Sequence, residues 1–549
     1  MALRDRRGPG CGAGLAACVV IAAIIATPPS RSAAQAGKYG GVVYVGNDEV
    51  VAQWGALDSG DELVFRNVRR NDIEIFRTTD PQTNLFRDRD VARGATYKYK
   101  VCAQILVGPN HTSSFNCGTW GDVTVGQIAG VLFWDTTWSD PEYTLAGTVT
   151  VPGGSRLTVR GAAVIGSGAL ESAGGEIRIE QATLRDLRVH MAGSDSAVTD
   201  STLDGVWLWF ERHALPSAEI AITGNVFSGL LATDSAVRWC GPGSVPDQLC
   251  NGHTGRVGFL TIGENAHATI ANNRFGPYRY FDYPAEVVVG GAMTDAGDVV
   301  EHAAAEIRDN DFLVPYTIAV APYATATITD NRFDGRDPAP SAHKQDTSAL
   351  LLFGGSTTSA ADNVVRGFDF GINVSGTGTV AQLTGNTVAG NVNGLRIYRG
   401  PHDAGGPQVE ARHNCIAGNS GAGVYFYSSQ GTVVQATENW WGSDSGPLYP
   451  VRNPEGQGDR IYHGIGQFSP ANGVVVDQWR TSPNCAAEFV GDCDGDGQVT
   501  AADLAQGIQI ALGTEYVGWC HSMDASNDGR VTVDELVTAA QSPTAATPE

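Results

Sequence analysis

Two twelve-residue runs near the C-terminus carry the most specific chemistry in the chain. The first is Asp492-Cys493-Asp494-Gly495-Asp496-Gly497-Gln498-Val499-Thr500-Ala501-Ala502-Asp503. The second is Asp524-Ala525-Ser526-Asn527-Asp528-Gly529-Arg530-Val531-Thr532-Val533-Asp534-Glu535. Each places side-chain oxygens at positions 1, 3 and 5, Gly at position 6 where the backbone turns sharply, and an acid at position 12. Calcium is a hard cation that takes six to eight oxygens, and this spacing delivers them. The expected ligands are Asp492, Asp494, Asp496, Gln498 (through its backbone carbonyl) and Asp503 in loop one. In loop two they are Asp524, Ser526, Asp528, Arg530 (again through its carbonyl) and Glu535. Thr500 and Thr532, at position 9, reach the ion through water. Glu535 is long enough to bind with both oxygens, whereas Asp503 is shorter and binds less fully. The loops start 32 residues apart, at 492 and 524, and a matched pair is a poor candidate for accidental acidic turns.

Each loop must be held by the helix that follows it. Leu504, Ile508, Ala511 and Leu512 share one helical face, and Leu536, Val537 and Ala540 share another, so the two faces are expected to pack together. Cys493 and Cys520 are placed to staple the pair. A module this small lacks a sufficient core, and calcium is expected to supply folding energy. The duplicated loop-helix unit resembles the dockerin family, a paired EF-hand module that docks exported enzymes onto cohesin-bearing scaffolds. The resemblance implies two calcium ions and a cohesin-like partner. At loop positions 10 and 11, often the partner-reading pair, this chain has Ala501-Ala502 and Val533-Asp534 instead of the common Ser-Thr. An intramolecular partner is the other expectation.

Upstream, about residues 128 to 480, a six-residue pattern recurs: apolar, two variable, Asn or a small residue, one variable, apolar. It reads Ile222-Thr-Gly-Asn225-Val-Phe227, Ile270-Ala-Asn-Asn273-Arg-Phe275, Ile307-Arg-Asp-Asn310-Asp-Phe312 and Ile328-Thr-Asp-Asn331-Arg-Phe333. It continues at Asn386, Asn414 and Asn439, and weaker early copies at 159–164, 179–184 and 198–203 carry Ala or Ser in place of Asn. Most neighbouring copies start 19 to 28 residues apart, and the longer gaps leave room for a missed copy or an inserted loop. That spacing is one coil of a parallel β-helix, whose stacked coils share one continuous core. The Asn is expected to tolerate a left-handed turn and to hydrogen-bond its counterpart in the next coil. These Asn residues are therefore structural. Thr148 to Ala162 resembles the opening coil of bacterial right-handed β-helix proteins, a pectate-lyase-like solenoid. Glu438-Asn-Trp-Trp-Gly442-Ser-Asp-Ser-Gly446-Pro447 is similar to a tract near the last coils of that family. The fold hosts lyases, hydrolases, epimerases and inert spikes, so it does not by itself define a function.

Residues 38 to 126 alternate in short strands separated by turn residues, as in a β-sandwich. Val91-Ala-Arg-Gly94-Ala-Thr-Tyr97-Lys-Tyr99-Lys-Val101 resembles the fibronectin type III family. The resemblance makes Tyr97 a corner tyrosine and Trp54 the core tryptophan, and such modules act mostly as spacers or binding platforms. The fold class expected for the whole chain is mainly β. It comprises an N-terminal β-sandwich, a right-handed parallel β-helix, a short linker at 481–490, a small α-helical calcium module at 491–541 and a low-complexity tail at 542–549.

Catalytic constellations are harder to find. The tracts of pectate lyases, polygalacturonases and pectin esterases are not intact here. The loose candidates are Glu211-Arg212-His213, His343-Lys344-Gln345-Asp346 and Arg399-Gly-Pro-His402-Asp403, with His402 and Asp403 the best placed. A solvated turn is the better explanation of each of them. If the chain is an enzyme, a polysaccharide lyase or glycoside hydrolase is expected, and the latter needs two carboxylates at a set separation. Tyr278, Tyr280, Phe281 and Tyr283 could stack on sugar rings or cover a coil. An acidic and aromatic cluster on one face of the rod would indicate polysaccharide association, whereas a face of Thr, Ser and Asn would indicate a non-enzymatic spacer or adhesive rod.

The N-terminus reads as a secretory leader, residues 1–36. Arg4, Arg6 and Arg7 precede an apolar stretch from Ala13 to Ala26, and Ala34-Gln35-Ala36 is a cleavage site. Leu15-Ala16-Ala17-Cys18 resembles a lipobox, but the apolar run continues through Ile25. The formal charge of −23 disfavours wrapping of nucleic acid or anionic membrane, and no later apolar run is long enough to span a bilayer. The expectation is a secreted or surface protein of a bacterium. Eight cysteines remain after the leader. Pairing neighbours gives 102–117, 240–250, 415–485 and 493–520, although sequence leaves the connectivity open.

Overall fold

The structure, a computed structural model, describes residues 41–541 except 193–195, 211–218, 229–259, 264–265, 277–286, 291, 294–298, 314–315, 321, 336–346, 400–404, 428–431, 465–472, 484, 486–489, 494–497, 516 and 526–529. The leader and the tail after Gln541 lie outside the described residues.

Between Thr136 and Val475 the chain winds as a parallel β-helix with three sheets. Sheet I stacks thirteen strands, from Thr136–Trp138 to Gly473–Val475. Sheet II runs from Ala163–Ile165 to Cys415–Ala417, and sheet III from Glu142–Pro152 to Gly458–His463. Neighbouring strands pair in parallel without a register slip through most of the rod, for example Thr325↔Thr357 through Thr329↔Ala361. At roughly 4.8 Å between strands, thirteen stacked strands make a rod about 60 Å long.

The strands form because apolar residues alternate with polar ones. Val159, Ile179, Val198, Ile222, Ile270, Ile307 and Ile328 point inward from sheet I and are fully buried. From sheet II, Phe227, Phe275, Phe312 and Phe333 stack face to face, with centroids 4.6, 4.6 and 4.8 Å apart. Val365, Val388, Ile416 and Trp441 continue this buried run towards the C-terminal end. No coil could bury such a residue alone, so the core is cooperative along the rod.

The corner between sheets I and II is an amide ladder. Each Asn side chain donates through Nδ2 to Oδ1 of the Asn in the next coil. The order is Asn225, Asn273, Asn310, Asn331, Asn363, Asn386, Asn414 and Asn439, at 2.9–3.0 Å. The same Oδ1 accepts the backbone N–H of the coil before it, as from Asn310 N to Asn331 Oδ1 at 3.0 Å. Asn363 is the copy concealed in the long gap after Asn331. Towards the N-terminus the ladder shrinks: Ser201 N donates to Asn225, and Ala182 N donates to the Ser201 hydroxyl.

One expectation is corrected here. The left-handed residue is not the ladder Asn but the residue before it: Asn272, Asp309, Asp330, Asp362, His413 and Glu438, with φ between 55° and 59°. Gly stands there in two coils. A Cβ on Gly385 would lie 2.1 Å from Asp362 Oδ1, and one on Gly224 would lie 2.4 Å from Asp200 Oδ1. The left-handed turn thus frees the following Asn to point inward.

Residues 41–131 form two antiparallel sheets, 41–45, 50–53 and 85–88 on one side, and 62–70, 73–78, 96–107 and 112–124 on the other. Val50, Ala52, Trp54, Val68, Tyr99, Val101 and Val125 fill the core they share. Cys102 and Cys117 face each other across neighbouring strands and are disulfide-bonded. The Tyr97 hydroxyl accepts the backbone N–H of Ala92 at 3.1 Å. No free linker separates this unit from the rod: strand Gln127–Val131 pairs antiparallel with 41–45 and parallel with the first coil. Tyr44 lies in the rod's core, with its hydroxyl accepting from Trp138 Nε1 at 3.3 Å.

Candidate functional site

In sheet III, the inward residues of the last coils are Ile372, Val374, Leu395, Ile397, Val424, Phe426 and Ile461, all buried. The alternation therefore turns their neighbours outward. One outward column reads Leu351, Asn373, Arg396, Tyr425, Tyr462, and the next reads Ser375, Tyr398, Tyr427. Tyr425 stacks on Tyr462 at 4.9 Å, and Tyr398 on Tyr427 at 5.7 Å. Tyr425 and Tyr427 lie 6.4 Å apart with planes inclined by only 12°. The Arg396 guanidinium lies over Phe370 at 4.4 Å and within 5.3 Å of Tyr398, and Arg460 lies 5.3 Å from Tyr462.

This face is an array of half-buried rings held nearly parallel by strand register, with cations tucked among them. The rings stack partly on one another and on the Arg396 guanidinium, which holds them in place and leaves the rest of each half-buried side chain to solvent. The surface is suited to ligands with flat apolar faces and many hydroxyls. Among strands 370–375, 393–398, 422–427 and 458–463 the single acid is Asp459. Its carboxylate accepts from the backbone of Gly418 and from the backbone and side chain of Asn419, at 2.8–2.9 Å. It ends a second, shorter ladder that starts at Asn391. Burial raises the Asp459 carboxyl, and the Asn419 and Gly418 donors offset part of that rise. The cluster is therefore aromatic and basic, and it matches neither of the two expected faces, the acidic and aromatic one or the one of Thr, Ser and Asn. A second aromatic group lies on sheet III nearer the N-terminus: Trp209 stacks on His190 at 4.5 Å and beside Trp207 at 5.9 Å.

The outward column of sheet I in the same coils is different in kind. It reads Glu306, Thr327, Ser359, Gln382, Glu410 and Gln435.

Of the loose catalytic candidates only Arg399 is described, directly after its sheet III strand, with its backbone N–H donating to the Tyr427 carbonyl at 3.2 Å. The others, His402 and Asp403 included, and the run of aromatics from Tyr278 to Tyr283 lie outside the described residues. Four of the ten predicted calcium ligands, Asp494, Asp496, Ser526 and Asp528, do so as well. The other six are placed. Asp492, Asp503, Asp524 and Glu535 are only 5, 2, 5 and 8% exposed, an unusual state for four carboxylates in a small module. Helix α1 (Ala501–Ala511) and helix α2 (Val533–Ala540) each begin with a capping box. Thr500 and Thr532 cap the first turns, and Asp503 and Glu535 bond back to them. Position 9 therefore positions the position 12 carboxylate. Asp503 also accepts from Cys493 N at 2.9 Å. Burial raises the Asp503 carboxyl, but donation from Thr500 and Cys493 outweighs this and leaves it below its ordinary value. Ser522 donates to the Asp492 carbonyl at 2.6 Å, and Cys493 and Cys520 are disulfide-bonded, so the two loop starts lie side by side. Among the described residues no three His, Cys, Asp or Glu side chains converge as a complete ligand set. The buried carboxylates fit calcium in chemistry and in order along the chain.

The helix faces differ in part from expectation: Leu504 and Leu536 pack against the module's core as expected, and other residues do not. Asp503, Gly507 and Ile510 turn inward from α1, whereas Ile508 is 49% and Leu512 73% exposed, and on α2 Val533 is 72% and Val537 48% exposed. A Cβ on Gly507 would come within 2.6 Å of Met523 and 2.8 Å of Leu536, so α2 packs onto that bare stretch of α1. This leaves an exposed apolar pair, four residues apart, on each helix.

The aromatic and basic face was missed by sequence reasoning, although a signal was there. Arg396 stands ten residues after Asn386, and Tyr425 eleven after Asn414. That signal is partial: aligned on the ladder Asn alone, Tyr425 falls one position out of step with Arg396, and only the strand pairing of sheet III puts them in one column.

No curated protein matches the chain. A family model described as a right-handed β-helix region matches residues 292–439. Two solved structures are similar. A pectate lyase from Pectobacterium carotovorum is 13% identical over 51% of this chain and 86% of its own, with a TM-score of 0.16. A family 28 exopolygalacturonase from Yersinia enterocolitica is 10% identical over 81% of this chain and 86% of its own, with a TM-score of 0.19. Scores that low leave the fold resting on the chain's own strand register and on the matched family, and both describe a parallel β-helix.

Proposed function

We propose that this chain is an exported bacterial protein that associates with polysaccharide through the outward face of its β-helix. The observation that carries the reading is the array of Phe370, Arg396, Tyr398, Tyr425, Tyr427 and Tyr462 on sheet III. Parallel rings at coil spacing match successive sugar rings, and arginines between them serve hydroxyls or carboxylates. The reading asserts binding and does not include catalysis.

The flanking units fit the same role. The N-terminal pair of sheets, with Tyr97 bonded back to Ala92 and Trp54 in its core, is proposed as a fibronectin-type spacer. The C-terminal module is proposed as a dockerin-like pair of calcium loops. Its exposed apolar pairs, Ile508 with Leu512 and Val533 with Val537, would tether the protein to a cohesin-like partner. A second reading, an inert extracellular rod, is favoured by the Thr, Ser and Gln column of sheet I.

The test is retardation of the full mature chain in gels containing neutral or acidic polysaccharides, with product release followed in parallel. Retardation that disappears in Tyr425→Ala/Tyr462→Ala supports the binding reading. Migration unaffected by every glycan leaves the rod reading standing.

A further inference from the structure

The C-terminal module touches the rod through a contact that the tether reading does not use. Arg332, on the sheet II strand Arg332–Asp334, donates from Nη1 to the backbone carbonyl of Cys493 at 3.0 Å. Cys493 is the second residue of calcium loop one. The Arg332 side chain is 16% exposed and lies 3.8 Å from Asp334, which is 2% exposed. A cation this sheltered is held by its surroundings. A second tie lies nearby: the linker cysteine Cys485 is disulfide-bonded to Cys415 at the C-terminal end of sheet II. After the last coil the chain therefore turns back along sheet II. Residues 491–541 carry nine Asp or Glu and one Arg, and on sheet II Arg332 has Arg366 on the next coil, while Arg274, two coils away, is paired with the intervening Asp311 at 3.6 Å.

We infer that the sheet II strip around Arg332 is the docking surface for this chain's own first calcium loop, and that calcium in that loop and docking to the rod favour each other. The inference rests on the calcium reading of loop one. Two effects compete. The positive charge of Arg332 opposes a nearby cation, but Asp334 neutralises it at close range. What remains is the hydrogen bond that fixes the loop backbone at position 2, between ligands 1 and 3. An ordered loop binds calcium more tightly, and by reciprocity a calcium-filled loop presents that carbonyl more persistently.

The test is calorimetric titration of calcium into the full mature chain and into Arg332→Met, which keeps the aliphatic stem and loses the donor. The expected result is two sites in the parent protein, one of them weakened three- to tenfold in the variant. Hydrogen exchange of the parent protein, with calcium and with chelator, covers the case in which the variant misfolds. Calcium is expected to slow exchange in both 490–493 and 332–335. No calcium uptake at all would remove the calcium reading itself. Two sites whose affinities are unchanged or tightened in Arg332→Met, or exchange that slows in the module without changing at 332–335, would overturn the docking inference alone.

Discussion

Sheets I and III belong to the same coils and enclose the same core, yet their outer faces have different chemistry. On sheet I the outward column from Glu306 to Gln435 holds hydroxyls, amides and acids. Its acids pair with arginine on the same strand, as Glu306 does with Arg308 at 3.0 Å. On sheet III the equivalent column gathers Arg396, Tyr425 and Tyr462. Strand formation requires only that alternate residues be apolar and inward, so the outward positions are free to differ. Rings placed there stack across neighbouring strands and are left half-exposed, and that exposure is the observation on which the binding proposal rests.

The comparison can be broken at several depths. The deepest is the ladder that both faces share. Asn331→Ala removes the acceptor used by Asn310 and the donor used towards Ile307, Thr329 and Asn363. The cost expected is about 3 kcal/mol or more, because several buried polar groups lose partners together. Chemical denaturation should show it, and both faces should fail together.

The next prediction separates the faces. Tyr425→Ala/Tyr462→Ala should weaken glycan binding at least tenfold, about 1.4 kcal/mol. Thr327→Ala/Ser359→Ala on sheet I should change it less than twofold and alter stability by about 0.5 kcal/mol or less. Affinity electrophoresis of both pairs measures the contrast. A smaller effect is expected for Arg396→Met, about threefold on binding, and it should grow with the acidity of the glycan tested.

The calcium loops allow a comparison of their own. Glu535→Gln removes the longer position 12 carboxylate and should abolish the tighter of two calcium sites, while Asp503→Asn should affect the weaker one. Calcium titration followed by thermal unfolding of the module distinguishes the two.

The smallest effect concerns the turn before the ladder. Burial first, and then the neighbouring charges of Asp362 and Asp309, raise the Asp330 carboxyl. A raised folded value means that stability is greatest below the ordinary carboxylate range and declines as pH rises through the raised value. Asp330→Asn should flatten that decline and raise the melting temperature slightly at neutral pH, since Asn also accepts the left-handed backbone found there. Melting curves between pH 3 and 7 would show it.

The rod was legible because its determinants are local and repeated: Ile222, Asn225 and Phe227 announce one coil, and Asn273, Asn310 and Asn331 the next three. Which residue took the left-handed turn was not legible, since Asp309 and Asn310 both tolerate it. Ladder geometry selects the one that can point inward. The functional face was hidden for a different reason. Arg396, Tyr425 and Tyr462 are 29 and 37 residues apart in sequence, and only the register of sheet III brings them together. In the C-terminal module, Ile508 and Leu512 read as core by periodicity. Gly507 decided otherwise, because a helix packs most closely where its surface is bare.

The central claim is that sheet III binds glycan and sheet I does not. The most direct measurement is affinity electrophoresis of the mature protein, Tyr425→Ala/Tyr462→Ala and Thr327→Ala/Ser359→Ala against a panel of neutral and acidic polysaccharides. The account predicts retardation of the parent protein and of the sheet I variant on at least one glycan, with loss confined to the sheet III variant. Equal retardation of all three, or none on any glycan, would contradict it.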